Sequence, residues 1–192
     1  MRIFESLEAF RAWRAEQAGS VGFVPTMGNL HAGHAALLQR SVAENELTVL
    51  SVFVNPAQFN DPADYTAYAK TRDADLLCAQ QCGVDAVLWP SAEAMYPDQY
   101  HYKVSEGPLS EMMEGVSRPG HFTGMLTVVL KFLILVLPHR AYFGEKDYQQ
   151  YALVRGMAAA FFMSAEIILC ETVRDAQGVA LSSRNGRLSP SA

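Results

Sequence analysis

The sequence predicts an α/β domain, a doubly wound parallel sheet of about five strands. Three observations point that way. Short β-branched or aromatic runs alternate with helix-length patterns along the whole chain. One run, Leu47–Asn55, is almost continuously apolar, as a strand covered on both faces must be. With 192 residues, half of them apolar and 18% charged, the chain is long enough to bury a sizeable core.

In order, VGFVP (Val21–Pro25) reads as the first predicted strand, followed by a glycine-containing turn and a helix over Gly33–Asn45. Leu47–Asn55 is the second strand. A helix over Arg72–Cys82 ends at Gly83, and VDAVLW (Val84–Trp89) is the third strand. The pattern then breaks between Pro90 and Gly120, where Pro97, Pro108, Pro119, Gly107 and Gly115 mark an irregular insertion, either functional or disordered. A long apolar helix over Gly120–Leu137 leads to the fourth strand, AYFG (Ala141–Gly144). Its apolar run, Met125–Leu137, contains Lys131 and stops at Pro138; it is too short for a bilayer and reads as a buried helix. A helix over Asp147–Phe161 and the strand AEIILC (Ala165–Cys170) complete the pattern. Strands separated by helices imply right-handed crossovers and a parallel sheet.

The formal net charge of −5 argues against a dedicated nucleic-acid surface. The first ten residues mix Arg2, Glu5 and Glu8 with apolar residues and read as no signal segment. Cys78, Cys82 and Cys170 form no CxxC pair and have no histidine at zinc-like spacing. Cys78 and Cys82 share a helix face and read as buried free thiols, and the odd number of cysteines points to the cytoplasm, with no membrane partner.

In an open parallel sheet, ligands bind beyond the carboxyl ends of the strands. Met27, Gly28, His31 and His34 follow the first predicted strand, and Asn55 and Gln58 the second. Gly144, Glu145, Lys146, Asp147 and Gln150 follow the fourth, and Ser182, Ser183 and Arg184 lie after the fifth. A helix start with free N–H groups and a partial positive charge suits a phosphate, and two imidazoles there add donors. Each cluster has a plainer alternative. The histidines cap or solvate a surface helix; Asn55 turns the chain before Pro56; Lys146 is a solvated lysine; Asp147 is an N-cap; the serines belong to a loop. Gln58, a poor turn residue between Ala57 and Phe59, escapes that account. Two hydroxyls beside the forked guanidinium of Arg184 match phosphate oxygens. Four polar clusters on one rim favour a composite binding site.

The segments PTMGNLHAGH, SVFVNPAQF, MYPD, EGVSRPGHFTG, TVVLKF, FGEKDYQQ and ALSSRN, spread between Val21 and Leu188, resemble the pantoate–β-alanine ligase family. That family belongs to the Rossmann-like, nucleotidyltransferase-like superfamily of HxGH proteins. HxGH alone points only to the superfamily, whereas FVNPxQF with GEKDxQQ and SSRN is specific to the family. Two departures stand out. Tyr68–Thr71 reads YAKT where the family has YPRT, so Lys70 keeps a charge but a rigid proline is lost. The family also carries a smaller second domain after SSRN. The resemblance thus leads us to expect an ATP- and pantoate-binding N-terminal domain over residues 1–187, with its insertion at about 90–120. Residues 188–192 would begin a C-terminal lid that this chain lacks, with turnover impaired in consequence.

The resemblance implies an AMP-forming ligase: ATP-dependent condensation of (R)-pantoate with β-alanine to pantothenate, through a pantoyl adenylate, releasing pyrophosphate and AMP. His34, as proton donor, His31 and Lys146 would be catalytic. Gly33 would let the backbone approach the nucleotide, and Asp147 with Gly144 would hold the ribose. Val173 would meet the adenine through its backbone, and Ser182, Ser183 and Arg184 would grip pyrophosphate. Met27, Gly28, Glu145 and Leu181 complete the implied ATP site. Gln58, Gln150, Asn55, Arg118 and His121 would line the pantoate and β-alanine side. Mg²⁺ would travel with ATP; Asp75 is a candidate contact, but the carboxylate spacing defines no protein metal site. A homodimer through this domain is also implied. Two other readings remain: a nucleotidyltransferase of the same fold that adenylylates a cofactor precursor, and a non-catalytic nucleotide-binding or dimerisation module.

Overall fold

Six parallel strands form one sheet in the order β1-β4-β3-β2-β5-β6. The computed structural model describes residues 1–185; the domain end expected at 187 and the lid start expected at 188–192 lie outside the described residues. The strands are β1 (Arg2–Phe4), β2 (Val21–Thr26), β3 (Leu47–Val52), β4 (Ala86–Leu88), β5 (Arg140–Gly144) and β6 (Glu166–Cys170). Five of them are the predicted strands. The sixth, β1, is a three-residue edge strand pairing Arg2 with Ala86, too short to show any alternation.

Helices cover both faces, because both faces of the central strands are apolar. Along β2 and β3, Val21, Phe23 and Val49 face one core, while Val24, Leu50 and Val52 face the other. The first core is closed by α1 (Leu7–Ala15), α7 (His121–Val136) and α8 (Tyr148–Ala160), through Phe10, Phe132 and Leu153. The second is closed by α2 (Ala32–Glu44) and α4 (Arg72–Gln81), through Leu38 and Ala79. Full burial of one such leucine or phenylalanine contributes roughly 1.5–3 kcal/mol.

In α7, eleven of the sixteen residues are buried, so the long apolar run is a core helix. Its one lysine, Lys131, reaches out to the Met95 carbonyl and to Asp98. Leu137 ends the helix in the left-handed region (φ 47°), just before Pro138. No helix among the described residues is long and apolar enough to cross a membrane. The three thiols are free, but only Cys170 is buried; Cys78 and Cys82 are half-buried, Cys82 with its Sγ 4.0 Å from Ala35 O of α2.

The insertion is an ordered strap. It carries the short helices α5 (Ala92–Met95) and α6 (Glu114–Ser117), and α3 (Pro62–Thr66) lies earlier, after β3. Gln149 of α8, itself buried, donates to the carbonyls of Leu109 and Met112 (2.8 Å each) and accepts from Glu114 N–H (3.1 Å). Tyr96 donates to Asn55 across the other end (2.7 Å). The Gln149 bonds satisfy backbone groups that a proline-rich loop cannot pair internally.

β2 is the topological pivot. From it the chain runs outward through β3 and β4, then returns by α7 to place β5 against β2 on the opposite side. A crevice beyond the carboxyl ends of β2 and β5 follows from that reversal.

Candidate functional site

The crevice is a cavity whose walls include the end of β2, the start of α2, the end of β5, and the segments after β6. Fourteen of the sequence-predicted residues line it: Met27, His31, Gly33, His34, Gln58, Gly144, Lys146, Asp147, Gln150, Val173, Leu181, Ser182, Ser183 and Arg184.

Backbone N–H groups at the start of α2 fix both histidine rings. His31 is the N-cap of α2, and its Nδ1 accepts Gly33 N–H (3.1 Å). His34, three residues on, accepts the backbone N–H of His31 through its own Nδ1 (3.3 Å). This is the reciprocal geometry of a capping box, built from imidazoles. An Nδ1 that accepts carries no proton, so each ring holds its proton on Nε2. The ring centroids stand 4.1 Å apart. Burial pushes the His34 pKa down to about 3, assisted by the charges of His31 and Lys146. Burial, then Lys146, also lowers His31, with Asp147 opposing. Both rings are therefore neutral near pH 7, and the donor role expected of His34 is that of an imidazole N–H, not of an imidazolium.

Gly33 lines the cavity and also gives space to its neighbour. A Cβ there would lie 2.8 Å from Cε1 and 2.9 Å from Nδ1 of His31, so the glycine makes room for the histidine ring.

Across the cavity, Lys146 pairs with Asp147 (3.0 Å) in the turn that follows Gly144. Asp147 stands at the N-cap position of α8 without making a capping bond, which leaves its carboxylate on the cavity side. After β6, a bridge between Arg174 and Ala180 folds the chain back, and Leu181 N–H bonds Val173 O (3.0 Å). That return brings Ser182–Arg184 over the cavity. Ser183 donates to Asn29 O (3.2 Å) while Asn29 Nδ2 donates to Ser183 O (3.1 Å). Arg184 pairs with Asp64 of α3 (3.0 Å). Both cations facing the cavity are thus held by carboxylates that water can reach, and such pairs are weak enough to exchange for phosphate.

The remaining wall is apolar, with Phe53, Val128, Val129 and Phe132 around two amides, Gln58 and Gln150. Gln58 is buried; its Nε2 donates to Met27 Sδ (3.1 Å) and its Oε1 accepts from Asn55 Nδ2 (3.1 Å).

Five predicted residues do not line the cavity. Asn55 is fully buried and caps the Pro56–Gln58 turn; beyond its bond to Gln58 it donates to Gly124 O (3.1 Å) and accepts from Tyr96. His121, also buried, donates from Nδ1 to Gln58 O (2.7 Å). Both act on Gln58 from behind. Arg118 pairs with Glu114 within the insertion. Glu145 is exposed, and Gly28 packs against Asp75. Among the described residues no three His, Cys, Asp or Glu side chains cluster as metal ligands. Asp75 turns both carboxylate oxygens onto the backbone of the histidine loop.

Sequence reasoning missed Thr26, Tyr68, Glu171, Thr172 and the α7 wall. The spacing of Met125, Val128, Val129 and Phe132 marks one helix face, but it is equally the spacing of a core stripe. Tyr68 sits in the segment that departs from YPRT, and its hydroxyl donates to Gly28 O (3.4 Å).

Comparison with known proteins decides the family. The model of the family described as pantoate-beta-alanine ligase matches residues 2–192. The chain belongs to the pantoate–β-alanine ligase family. Among its relatives in that family, the pantothenate synthetase of Bdellovibrio bacteriovorus is 52% identical over 189 residues, 98% of this chain and 75% of that protein. That of Coxiella burnetii is 54% identical over 186 residues, 95% of this chain and 72% of that protein. The pantoate-beta-alanine ligase of Francisella tularensis, solved with beta-gamma ATP and beta-alanine, superposes with a TM-score of 0.97 at 41% identity, covering 99% of this chain and 74% of that one. The Thermus thermophilus pantothenate synthetase gives 0.95 at 47% identity, covering 100% and 69%. The chain spans about three quarters of the length of these ligases.

Proposed function

We infer that this chain catalyses the ATP-dependent condensation of (R)-pantoate with β-alanine to pantothenate, through a pantoyl adenylate. The carrying observation is that one cavity joins a phosphate-facing donor set, His31, His34, Lys146 and Arg184, to an apolar wall bearing two amides, Gln58 and Gln150. A phosphate site alone fits any nucleotide enzyme. The second half fits a small, branched hydroxy acid, because an amide both donates and accepts while the wall takes methyl groups.

In the first step a pantoate carboxylate oxygen attacks the α-phosphorus of ATP, and the bond to pyrophosphate breaks. Charge builds on the phosphate oxygens as the bonds exchange. The Nε2–H groups of His31 and His34 answer it from fixed positions, without reorganisation, and the ammonium of Lys146 adds its charge. Lys146 exchanges Asp147 for phosphate, freeing Asp147 and the Gly144 backbone for the ribose hydroxyls. Arg184 exchanges Asp64 for the departing pyrophosphate, beside Ser182 and Ser183. In the second step the neutral amine of β-alanine attacks the acyl carbon, loses a proton, and AMP leaves with the former acyl–phosphate oxygen. Held in the cavity, the adenylate meets the amine rather than water.

Mg²⁺ enters with ATP as part of the substrate and supplies charge neutralisation on the phosphates.

A cytoplasmic homodimer is part of the same proposal. Free cysteines, two of them half-exposed, suit a reducing compartment, and large apolar side chains such as Phe162 (95% exposed) and Leu137 suit a protein partner. Sedimentation of the purified chain tests the dimer, with a monomer at about 10 μM contradicting it.

The activity is tested by exchange of labelled pyrophosphate into ATP. The inference expects exchange that requires pantoate. Exchange indifferent to pantoate favours a nucleotidyltransferase, and nucleotide binding without exchange favours a non-catalytic module.

A further inference from the structure

Asp75, in the first turn of α4, is a carboxylate 2% exposed that serves no structural ion pair among the described residues. Its Oδ1 accepts Leu30 N–H (2.7 Å). Its Oδ2 accepts Asn29 N–H (3.0 Å) and the Thr71 hydroxyl (3.1 Å). The two backbone donors belong to the turn between β2 and the histidine cap, where Gly28 (φ 80°) and Asn29 (φ 52°) both take the left-handed conformation. Left-handed backbone is uncommon outside glycine; asparagine tolerates it better than other residues, and here the bonds around the turn hold it. The fit is close: a Cβ on Gly28 would stand 2.9 Å from Asp75 Oδ2 and 3.0 Å from Val52.

We propose that Asp75 is the positioning residue of the histidine loop, its carboxylate fixing the Gly28–Leu30 turn and thereby the direction in which His31 and His34 present their Nε2–H groups. The turn is shared with the other phosphate-facing wall, since Asn29 exchanges hydrogen bonds with Ser183 on its far side. One buried carboxylate therefore sets both the histidine pair and the Ser182–Arg184 segment against each other. A charged acceptor suits this role, because its bonds to backbone N–H are stronger than neutral ones and the start of α4 stabilises its charge.

The inference rests on the catalytic reading above, and the test separates the two. Asp75→Asn keeps the shape but turns one acceptor into a donor facing a backbone N–H. In pantoate-dependent pyrophosphate exchange it should lower kcat by about 100-fold, the scale expected of a misaimed catalytic group. KM for pantoate should stay within about twofold, because Gln58 and Gln150 stand on other elements. Excess Mg²⁺ should restore nothing. Nitrogen NMR of the histidine rings should show Nε2–H tautomers with an accepting Nδ1 in the parent chain and tautomer averaging in the variant.

If Asp75→Asn does not fold, Thr71→Val removes one of the three bonds and should lower kcat by about threefold to tenfold. Unchanged kcat, a loss confined to KM, unaltered ring tautomers, or rescue by Mg²⁺, which would make Asp75 a metal contact, each overturns the proposal. A parent chain without pantoate-dependent exchange defeats the catalytic reading alone, and the ring tautomers then decide the positioning role.

Discussion

The imidazole of His34 accepts the backbone N–H of His31, and the imidazole of His31 accepts Gly33 N–H, so two backbone donors fix both ring tautomers at the start of α2. Capping is usually done by hydroxyls and carboxylates. With imidazoles, the same bonds that stabilise the helix end leave two N–H donors for a ligand. Structure and chemistry share one set of contacts.

Stability should fall as the solution is acidified. The folded pKa values of His34, about 3, and of His31 and His121 lie below the unfolded value near 6.5. The unfolded chain therefore binds more protons across that interval, so stability is fully present above about pH 6.5 and drains away below it. His34 and His121 each cost up to about 1.4 kcal/mol per pH unit there, and the half-exposed, solvent-screened His31 costs less. Melting curves at about pH 7 and about pH 5 should differ by several degrees, and His34→Asn should flatten the difference; a flat profile in the parent chain contradicts the tautomer assignment.

Gly33→Ala should separate activity from stability. Alanine favours a helix by up to about 1 kcal/mol over glycine, which offsets part of the clash with the His31 ring. The melting temperature should move by a few degrees at most, while kcat drops by about tenfold or more because the ring is displaced. A fully active Gly33→Ala enzyme means that the ring position is unimportant.

Removing Asn55 should be felt in two places. Asn55→Ala leaves the Tyr96 hydroxyl, the Gly124 carbonyl and the Gln58 amide without their buried partner. A loss of about 2–3 kcal/mol in urea unfolding is expected, together with a raised KM for pantoate as Gln58 loses its orientation. Lost stability with an unchanged KM would show that Gln58 does not depend on Asn55.

Most of the fold is legible in the sequence because the central strands are apolar on both faces and the helices have strong boundaries such as Gly83 and Pro138. The edge strand Arg2–Phe4 is not, since three residues carry no period. Much of the site is legible for a similar reason: His31, Gln58, Lys146 and Ser182 are polar residues at strand ends, where a parallel sheet concentrates its ligands. Asn55 and His121 resemble ligand contacts because residue type and position do not reveal depth, and the fold buries both behind Gln58. Gln149, next to Gln150, draws no attention in the sequence, yet it ties down the insertion. Asp75 reads only as a candidate contact for Mg²⁺, since nothing in its sequence neighbourhood reveals a turn 45 residues away.

The most direct measurement is pantoate-dependent exchange of pyrophosphate into ATP, run side by side on the parent chain and on His34→Ala. The account predicts pantoate-dependent exchange in the parent and a loss of about 100- to 1,000-fold in the variant, the scale of one preorganised donor removed, with the circular-dichroism spectrum unchanged. Exchange that ignores pantoate, or that survives His34→Ala undiminished, contradicts it.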